Sequence, residues 1–71
     1  MTDERPYRLV AKRVQELRKE RKLTQEDMQD HGFNYRYYQR IESGDKNISL
    51  KIVNRLAKAF GVEPKELLDF D

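Results

Sequence analysis

The sequence predicts an all-α protein, a compact bundle of five short helices, and three observations support this class. Apolar residues recur at intervals of three and four along most of the chain, which is the spacing of one helix face. Gly32, Gly44 and Gly61 stand where such stretches end, as helix C-cap glycines do. No stretch shows the alternation typical of a strand. We therefore expect five helices around one core.

Length and composition limit the class of protein further. At 71 residues the chain is expected to form one domain, residues 7–71, behind a flexible leader, residues 1–6. The absence of cysteine excludes disulfides and thiolate metal sites and favours a reducing cytoplasm. No apolar run approaches the roughly 18 residues of a membrane span, and the N-terminus lacks the features of a signal peptide. A net charge of +2 permits a nucleic-acid partner without requiring one, since a solvated, charge-mixed surface would look the same.

The first predicted helix spans Tyr7–Lys22, where Val10, Val14 and Leu17 form an apolar stripe. Its last turn, residues 18–22, is basic. Positive charge there suits the negative end of the helix dipole, but the same cluster could bind phosphate. Both interpretations remain open from the sequence.

The next two predicted helices are separated by a glycine. Thr24 caps the second helix, residues 25–31, and Gly32 ends it. Asn34 caps the third helix, residues 35–43. Two short helices joined by a tight turn with glycine form a helix-turn-helix pattern.

The exposed side of the third helix is the most informative surface. Tyr38 and Ile41 are expected to face the core, which leaves a set of Arg, Gln and Tyr side chains outside: Tyr35, Arg36, Gln39 and Arg40. Arginine can bind guanine, and glutamine adenine, through paired hydrogen bonds in the major groove of DNA. A stacking platform of Tyr35, Tyr37 and Tyr38 for single strands is the less favoured alternative.

The C-terminal part supplies the remaining helices. Ser49 caps a fourth helix that runs to Phe60, and Pro64 opens a short fifth helix ending near Asp69. The chain ends in an apolar tail of Leu67, Leu68 and Phe70. This tail is a candidate dimer surface, and closure of the monomer core is an equally supported alternative.

The motifs LTQED at 23–27 and YYQRIESG at 37–44 resemble the phage-repressor and Cro-type (XRE-like) helix-turn-helix family. The segment ISLKIVNRLAKAFGVEPKELL at 48–68 is similar to that family's last two helices, so the resemblance covers residues 9–68. It implies a lambda-repressor-like bundle whose helices two and three form the DNA-binding motif. It also implies a cytoplasmic transcriptional regulator of prokaryotic or phage origin, repressor-like, acting as a homodimer on palindromic double-stranded DNA.

The resemblance also implies residue roles. Gln25 matches a phosphate-binding position, Asn34, Tyr35 and Arg36 match the first turn of the recognition helix, and Arg40 matches a later base-reading position. Arg18 and Glu42 match a structural ion pair. Together with the exposed polar residues, the predicted DNA-binding set is Gln25, Asn34, Tyr35, Arg36, Gln39, Arg40, Lys46 and Asn47. For Lys46 and Asn47, in the loop after the third helix, simple solvation is nearly as well supported as phosphate binding.

From Thr24 to Asn34 the chain is one residue shorter than the usual family pattern, so the turn must be rebuilt, with Phe33 filling the gap. No catalytic residue, metal, cofactor, small-molecule ligand or membrane partner is expected. His31 is the only histidine, so no second imidazole is present to share a metal ion. Glu26 and Asp27 are explained by the preference of acidic side chains for the first turn of a helix, without any catalytic role. The alternative to DNA binding is a protein-interaction module such as an antitoxin or scaffold, because a fold does not fix a function.

Overall fold

A computed structural model describes residues 6–45 and 48–68 of the chain. These residues form three α-helices, α1 (Pro6–Glu20), α2 (Tyr35–Ser43) and α3 (Leu50–Phe60). They also form two 3-10 helices, η1 (Glu26–His31) and η2 (Pro64–Leu67). No strand occurs in the two described ranges, so the all-helical class is confirmed. A bundle of five α-helices is not confirmed, because two of the five segments have the tighter 3-10 geometry.

The bounds of α1 differ from the prediction at both ends. The helix begins at Pro6, inside the segment assigned to the leader, and ends at Glu20, two residues early. The chain leaves it through Lys22, whose φ of 57° is left-handed, while the Leu23 N–H donates to the Arg18 carbonyl. This closure is usually made by glycine, and it stops the helix before Lys22. Residues 1–5 of the predicted leader lie outside the described residues.

The second helix departs most from an ordinary α-helix. A 3-10 helix rises about 2.0 Å per residue, against about 1.5 Å in an α-helix, so fewer residues span the same distance. Such a geometry suits the one-residue shortening that the resemblance implies, which stays a prediction. Gly32 then turns the chain with a φ of 88°. Phe33 follows, is buried, and packs edge-on against Tyr38 with ring centroids 5.7 Å apart.

The core lies where the apolar faces of the five segments meet. Its fully buried side chains are Val14, Leu17, Met28, Tyr38, Ile41, Leu56 and Leu67. Tyr38 is enclosed, which confirms its predicted place in the core and excludes the less favoured alternative of a base-stacking platform of three tyrosines.

The apolar tail divides into buried and exposed parts. Leu67 has no exposed surface, because η2 folds back against α1 and α3, so its assignment to a dimer surface is wrong. Burying a leucine side chain stabilises a fold by roughly 1.5–3 kcal/mol, which favours this inward position. Leu68 remains 43% exposed, and Phe70 lies outside the described residues.

Candidate nucleic-acid interface

Local signals fix both ends of α2. The Asn34 side-chain oxygen accepts the Tyr37 N–H at 3.0 Å, and the Gly44 backbone ends the helix with a φ of 80°. This left-handed angle favours glycine, and a Cβ at Gly44 would also lie 3.0 Å from Cγ of Arg8, so the Arg8 side chain would have to shift. Since the Asn34 oxygen serves the helix, the amide hydrogens of that side chain are what it can offer a ligand.

One side of α2 is polar and exposed. Arg36, Gln39, Arg40 and Ser43 follow one another at intervals of three, one and three residues, which places them on one helix face. With Asn34 and Tyr37 they line an open depression. Within the described ranges, no intramolecular hydrogen bond or ion pair engages the guanidinium of Arg36 or Arg40. These two cations therefore remain available to external acceptors.

Behind this face lies a buried carboxylate. Glu42 is 5% exposed and receives two bonds from one guanidinium, Arg18 Nε to Oε2 at 2.7 Å and Nη2 to Oε1 at 3.1 Å. Arg18 Nη1 also donates to the Leu23 carbonyl at 2.8 Å. The Tyr38 hydroxyl donates to Oε2 of the same carboxylate. The Arg18–Glu42 contact thus joins α1 to the last turn of α2.

The charged forms of this pair are favoured. Burial raises the pKa of Glu42, but hydrogen bonds from Arg18, Tyr38 and Gln25 outweigh burial and leave that pKa below its ordinary value. The hydrogen bond to Glu42 raises the pKa of Arg18. Burial and the hydrogen bond to Glu42 raise the pKa of Tyr38, so its hydroxyl remains a donor. At neutral pH, Glu42 is therefore an ionised acceptor surrounded by donors.

Gln25 connects the buried carboxylate to the exposed face. Its Nε2 donates to Oε1 of Glu42 at 3.0 Å, and its Oε1 lies 3.5 Å from Nε2 of Gln39. The same Nε2 of Gln39 donates to the half-buried Tyr35 hydroxyl at 3.1 Å. One amide hydrogen of Gln25, predicted to hold phosphate, is thus already engaged within the protein. Lys46 and Asn47 lie outside the described residues.

The basic end of α1 is largely occupied by the protein itself. Arg21 Nε donates to the Phe60 carbonyl at 2.8 Å, and its guanidinium carbon lies 5.7 Å from the centroid of the Phe60 ring. Arg13 Nε donates to the Glu66 carbonyl at 3.0 Å. With Arg18 on Glu42, two arginines of α1 and one just after its end hold other segments in place, while Lys19 remains exposed.

Arg55 was not among the residues predicted from the sequence. This α3 side chain donates from Nη2 to the Gly32 carbonyl at 2.7 Å and lies 4.7 Å from the centroid of the Phe33 ring. It thereby holds the turn between η1 and α2. The two partners are 23 residues apart in sequence, and no spacing rule links them. The one feature of the sequence that could have indicated this role is the position of Arg55 beside the apolar stripe of α3.

Within residues 6–45 and 48–68, no group of three or more His, Cys, Asp or Glu side chains is arranged to hold a metal ion. No helix among these residues is both long enough and apolar enough to cross a membrane.

Comparison with known proteins gave two matches. The profile of the helix-turn-helix family matches residues 14–67, from α1 through η2. Control protein C.BamHI of Bacillus amyloliquefaciens is 50% identical over 34 residues, a segment that makes up 48% of this chain and 42% of the relative. The match thus spans less than half the length of either protein. No solved structure matches the chain.

Proposed function

We propose that this chain, which belongs to the Cro/C1-type helix-turn-helix family of DNA-binding transcription regulators, is a repressor-like regulator that reads double-stranded DNA with α2. In this proposal α2 enters the major groove and η1 crosses the sugar–phosphate backbone. The chain acts as a homodimer on a palindromic operator whose half-sites lie about one helical turn apart. Family membership favours such a binding function over an enzymatic one.

The observation that carries this proposal is the pair of unengaged guanidinium groups on α2. Arg36 and Arg40 share an exposed face with Gln39 and have no hydrogen-bond acceptor among the described residues. By contrast, Arg18 donates to the Glu42 carboxylate, and Arg21 donates to the Phe60 carbonyl. An arginine without an internal acceptor can form paired hydrogen bonds with O6 and N7 of guanine, or bind phosphate.

The other predicted residues take supporting roles in the proposal. Asn34 and Tyr35 offer an amide and a hydroxyl at the first turn of α2, where base and phosphate contacts concentrate in this motif. Gln25 offers the second of its two amide hydrogens to a phosphate. Lys46 and Asn47 are proposed to bind phosphate from the loop that follows α2. The relative is named a control protein, and we extend a regulatory role to this chain as part of the same proposal.

A salt titration tests the proposal directly. Affinity for random duplex DNA should fall as salt rises, with log K decreasing by about 0.9 per unit of log salt for each phosphate neutralised. Selection from a random library should then yield a two-fold sequence, and the mass of the complex should correspond to two chains per duplex. Absence of measurable affinity even at low salt would contradict DNA binding and favour the protein-interaction alternative. One chain per duplex would contradict only the homodimer.

A further inference from the structure

We propose that Gln39 reads DNA through its side-chain carbonyl oxygen, so that it selects a base carrying an exocyclic amino group, and that Gln25 is the residue that positions it. This inference rests on the proposed DNA-binding function and deepens it. It follows from the directions of the hydrogen bonds that connect the buried Glu42 to the exposed face of α2.

The Glu42 carboxylate fixes the orientation of the Gln25 side chain. An ionised carboxylate only accepts hydrogen bonds, so a neighbouring amide must turn its nitrogen toward it. Glu42 is such an acceptor, because the Arg18 guanidinium donates to both of its carboxylate oxygens, at 2.7 and 3.1 Å. Gln25 therefore directs Nε2 to Glu42, at 3.0 Å, and its own carbonyl oxygen toward α2.

Gln25 and Tyr35 together fix the orientation of the Gln39 side chain. Its Nε2 donates to the Tyr35 hydroxyl at 3.1 Å and makes a longer contact of 3.5 Å with Oε1 of Gln25. A primary amide has two N–H donors, so these contacts occupy both. Its carbonyl oxygen receives no donor within the described ranges, and the side chain is exposed on the same face as Arg36 and Arg40.

The free carbonyl oxygen of Gln39 suits a base that presents a hydrogen-bond donor in the major groove. In the major groove, adenine N6 and cytosine N4 are donors, whereas guanine O6 and thymine O4 are acceptors. An unconstrained glutamine prefers adenine, because it can accept from N6 and donate to N7 together. Here the donors of Gln39 are already occupied, so the second bond is unavailable. Adenine and cytosine should therefore be accepted about equally, and guanine and thymine should be disfavoured.

The test uses the full chain and an operator obtained by selection, with all four base pairs measured at every position. The wild-type protein should show one position where adenine and cytosine bind about two- to tenfold more tightly than guanine and thymine, the range expected for one hydrogen bond. Gln39→Ala should abolish that preference there and nowhere else. Gln25→Met and Tyr35→Phe should each release a donor of Gln39 and shift the preference at this position toward adenine over cytosine.

Gln29→Met is the matched control, because Gln29 is a glutamine four residues after Gln25, lies within η1, is exposed, and donates to the Glu26 carbonyl rather than toward α2. It should leave every base preference unchanged. Thermal unfolding monitored by circular dichroism shows whether each variant is folded. Gln39→Ala alters an exposed side chain without touching Glu42, so it remains decisive even if Gln25→Met unfolds.

Three results would overturn the inference while leaving DNA binding intact. They are an unchanged preference in Gln39→Ala, a Gln39-dependent preference for guanine or thymine, and a uniform loss of affinity in Gln25→Met with all base preferences retained. Failure of the wild-type protein to bind any duplex would instead overturn the proposed function, and the inference with it.

Discussion

Two sets of arginines in this small protein are used in opposite ways. Arg13 and Arg18 of α1, together with Arg21 just after its end, donate to the protein itself, to the Glu66 carbonyl, the Glu42 carboxylate and the Phe60 carbonyl respectively. Arg36 and Arg40 of α2 have no such acceptor among the described residues. The residue type is the same in both helices, so its use depends on what lies opposite it.

The acceptors explain the difference. The last carbonyls of a helix lack partners within that helix, and the ends of α3 and η2 lie beside α1. Arginines of α1 can therefore satisfy groups that would otherwise be left unpaired. Within residues 6–45 and 48–68 no segment packs against the exposed face of α2, so none of these residues offers an acceptor to its guanidinium groups. Disruption of α1 arginines should thus affect folding, and disruption of α2 arginines should affect binding.

The largest expected effect is the loss of the buried ion pair. Arg18→Met should lower the free energy of unfolding by about 3–5 kcal/mol, because it leaves the Glu42 charge buried without its partner. Urea or thermal unfolding measures this change. Lys19→Met, at an exposed neighbouring position of the same helix, is the control and should change stability by less than about 0.5 kcal/mol. Similar small losses in both variants would mean that the pair does not hold the fold together.

The opposite pattern is expected on α2. Arg36→Ala and Arg40→Ala should each weaken operator binding by about 1–3 kcal/mol, since each removes contacts to base edges or phosphate. Their free energies of unfolding should stay within about 0.5 kcal/mol of the wild type. Titration of labelled operator DNA, paired with thermal unfolding, separates the two quantities. If either variant lost stability but kept its affinity, the contrast between the two helices would be wrong.

A smaller effect on stability is expected at the turn. Arg55→Ala should lower the free energy of unfolding by about 1–2 kcal/mol, as it removes a hydrogen bond to the Gly32 carbonyl and a cation–π contact with Phe33. Thermal unfolding is the measurement. Lys58→Ala, three residues along the same exposed side of α3, is the matched control. A change in Arg55→Ala no larger than in Lys58→Ala would show that Arg55 does not hold the turn.

The smallest expected effect is on the pH dependence of the free energy of unfolding. The folded-state pKa of Glu42 is lowered, so the folded protein binds fewer protons than the unfolded chain. Its contribution is complete above the unfolded pKa and is lost as pH falls through the lower folded pKa. One such group changes stability by at most about 1.4 kcal/mol per pH unit.

Thermal unfolding between about pH 2.5 and 7 should therefore show a shallower acid decline in Glu42→Gln than in the wild type, although the variant should be less stable at neutral pH. Equal slopes in the two proteins would mean that Glu42 does not contribute to the acid sensitivity of the fold.

Much of the fold could be predicted because its signals are local. Asn34 and Ser49 accept backbone N–H groups three residues ahead, at 3.0 and 3.3 Å, and both begin helices as predicted. Gly32, Gly44 and Gly61 all have positive φ at helix ends. Such interactions join neighbours in the sequence, so the spacing of residue types suffices to predict them.

Predictions for the candidate site were incomplete for a corresponding reason. Arg13 and Arg21 reach carbonyls 53 and 39 residues away, and Arg55 reaches one 23 residues away. No sequence interval specifies such pairs. The burial of Leu67 depends on η2 returning to the core. The DNA-binding roles of Lys46 and Asn47 stay predictions, because these residues lie outside the described ranges.

By itself, the sequence determined the helical class, the caps, the terminating glycines and the family, since these depend on local chemistry and on motif spacing. Only the tertiary structure decided which further polar groups are used internally. It turned Gln25 toward Glu42 and brought three arginines to carbonyls distant in sequence: Arg13, Arg21 and Arg55. The physical reason is that a polar side chain is satisfied by whichever partner folding brings near, and that partner is seldom a sequence neighbour.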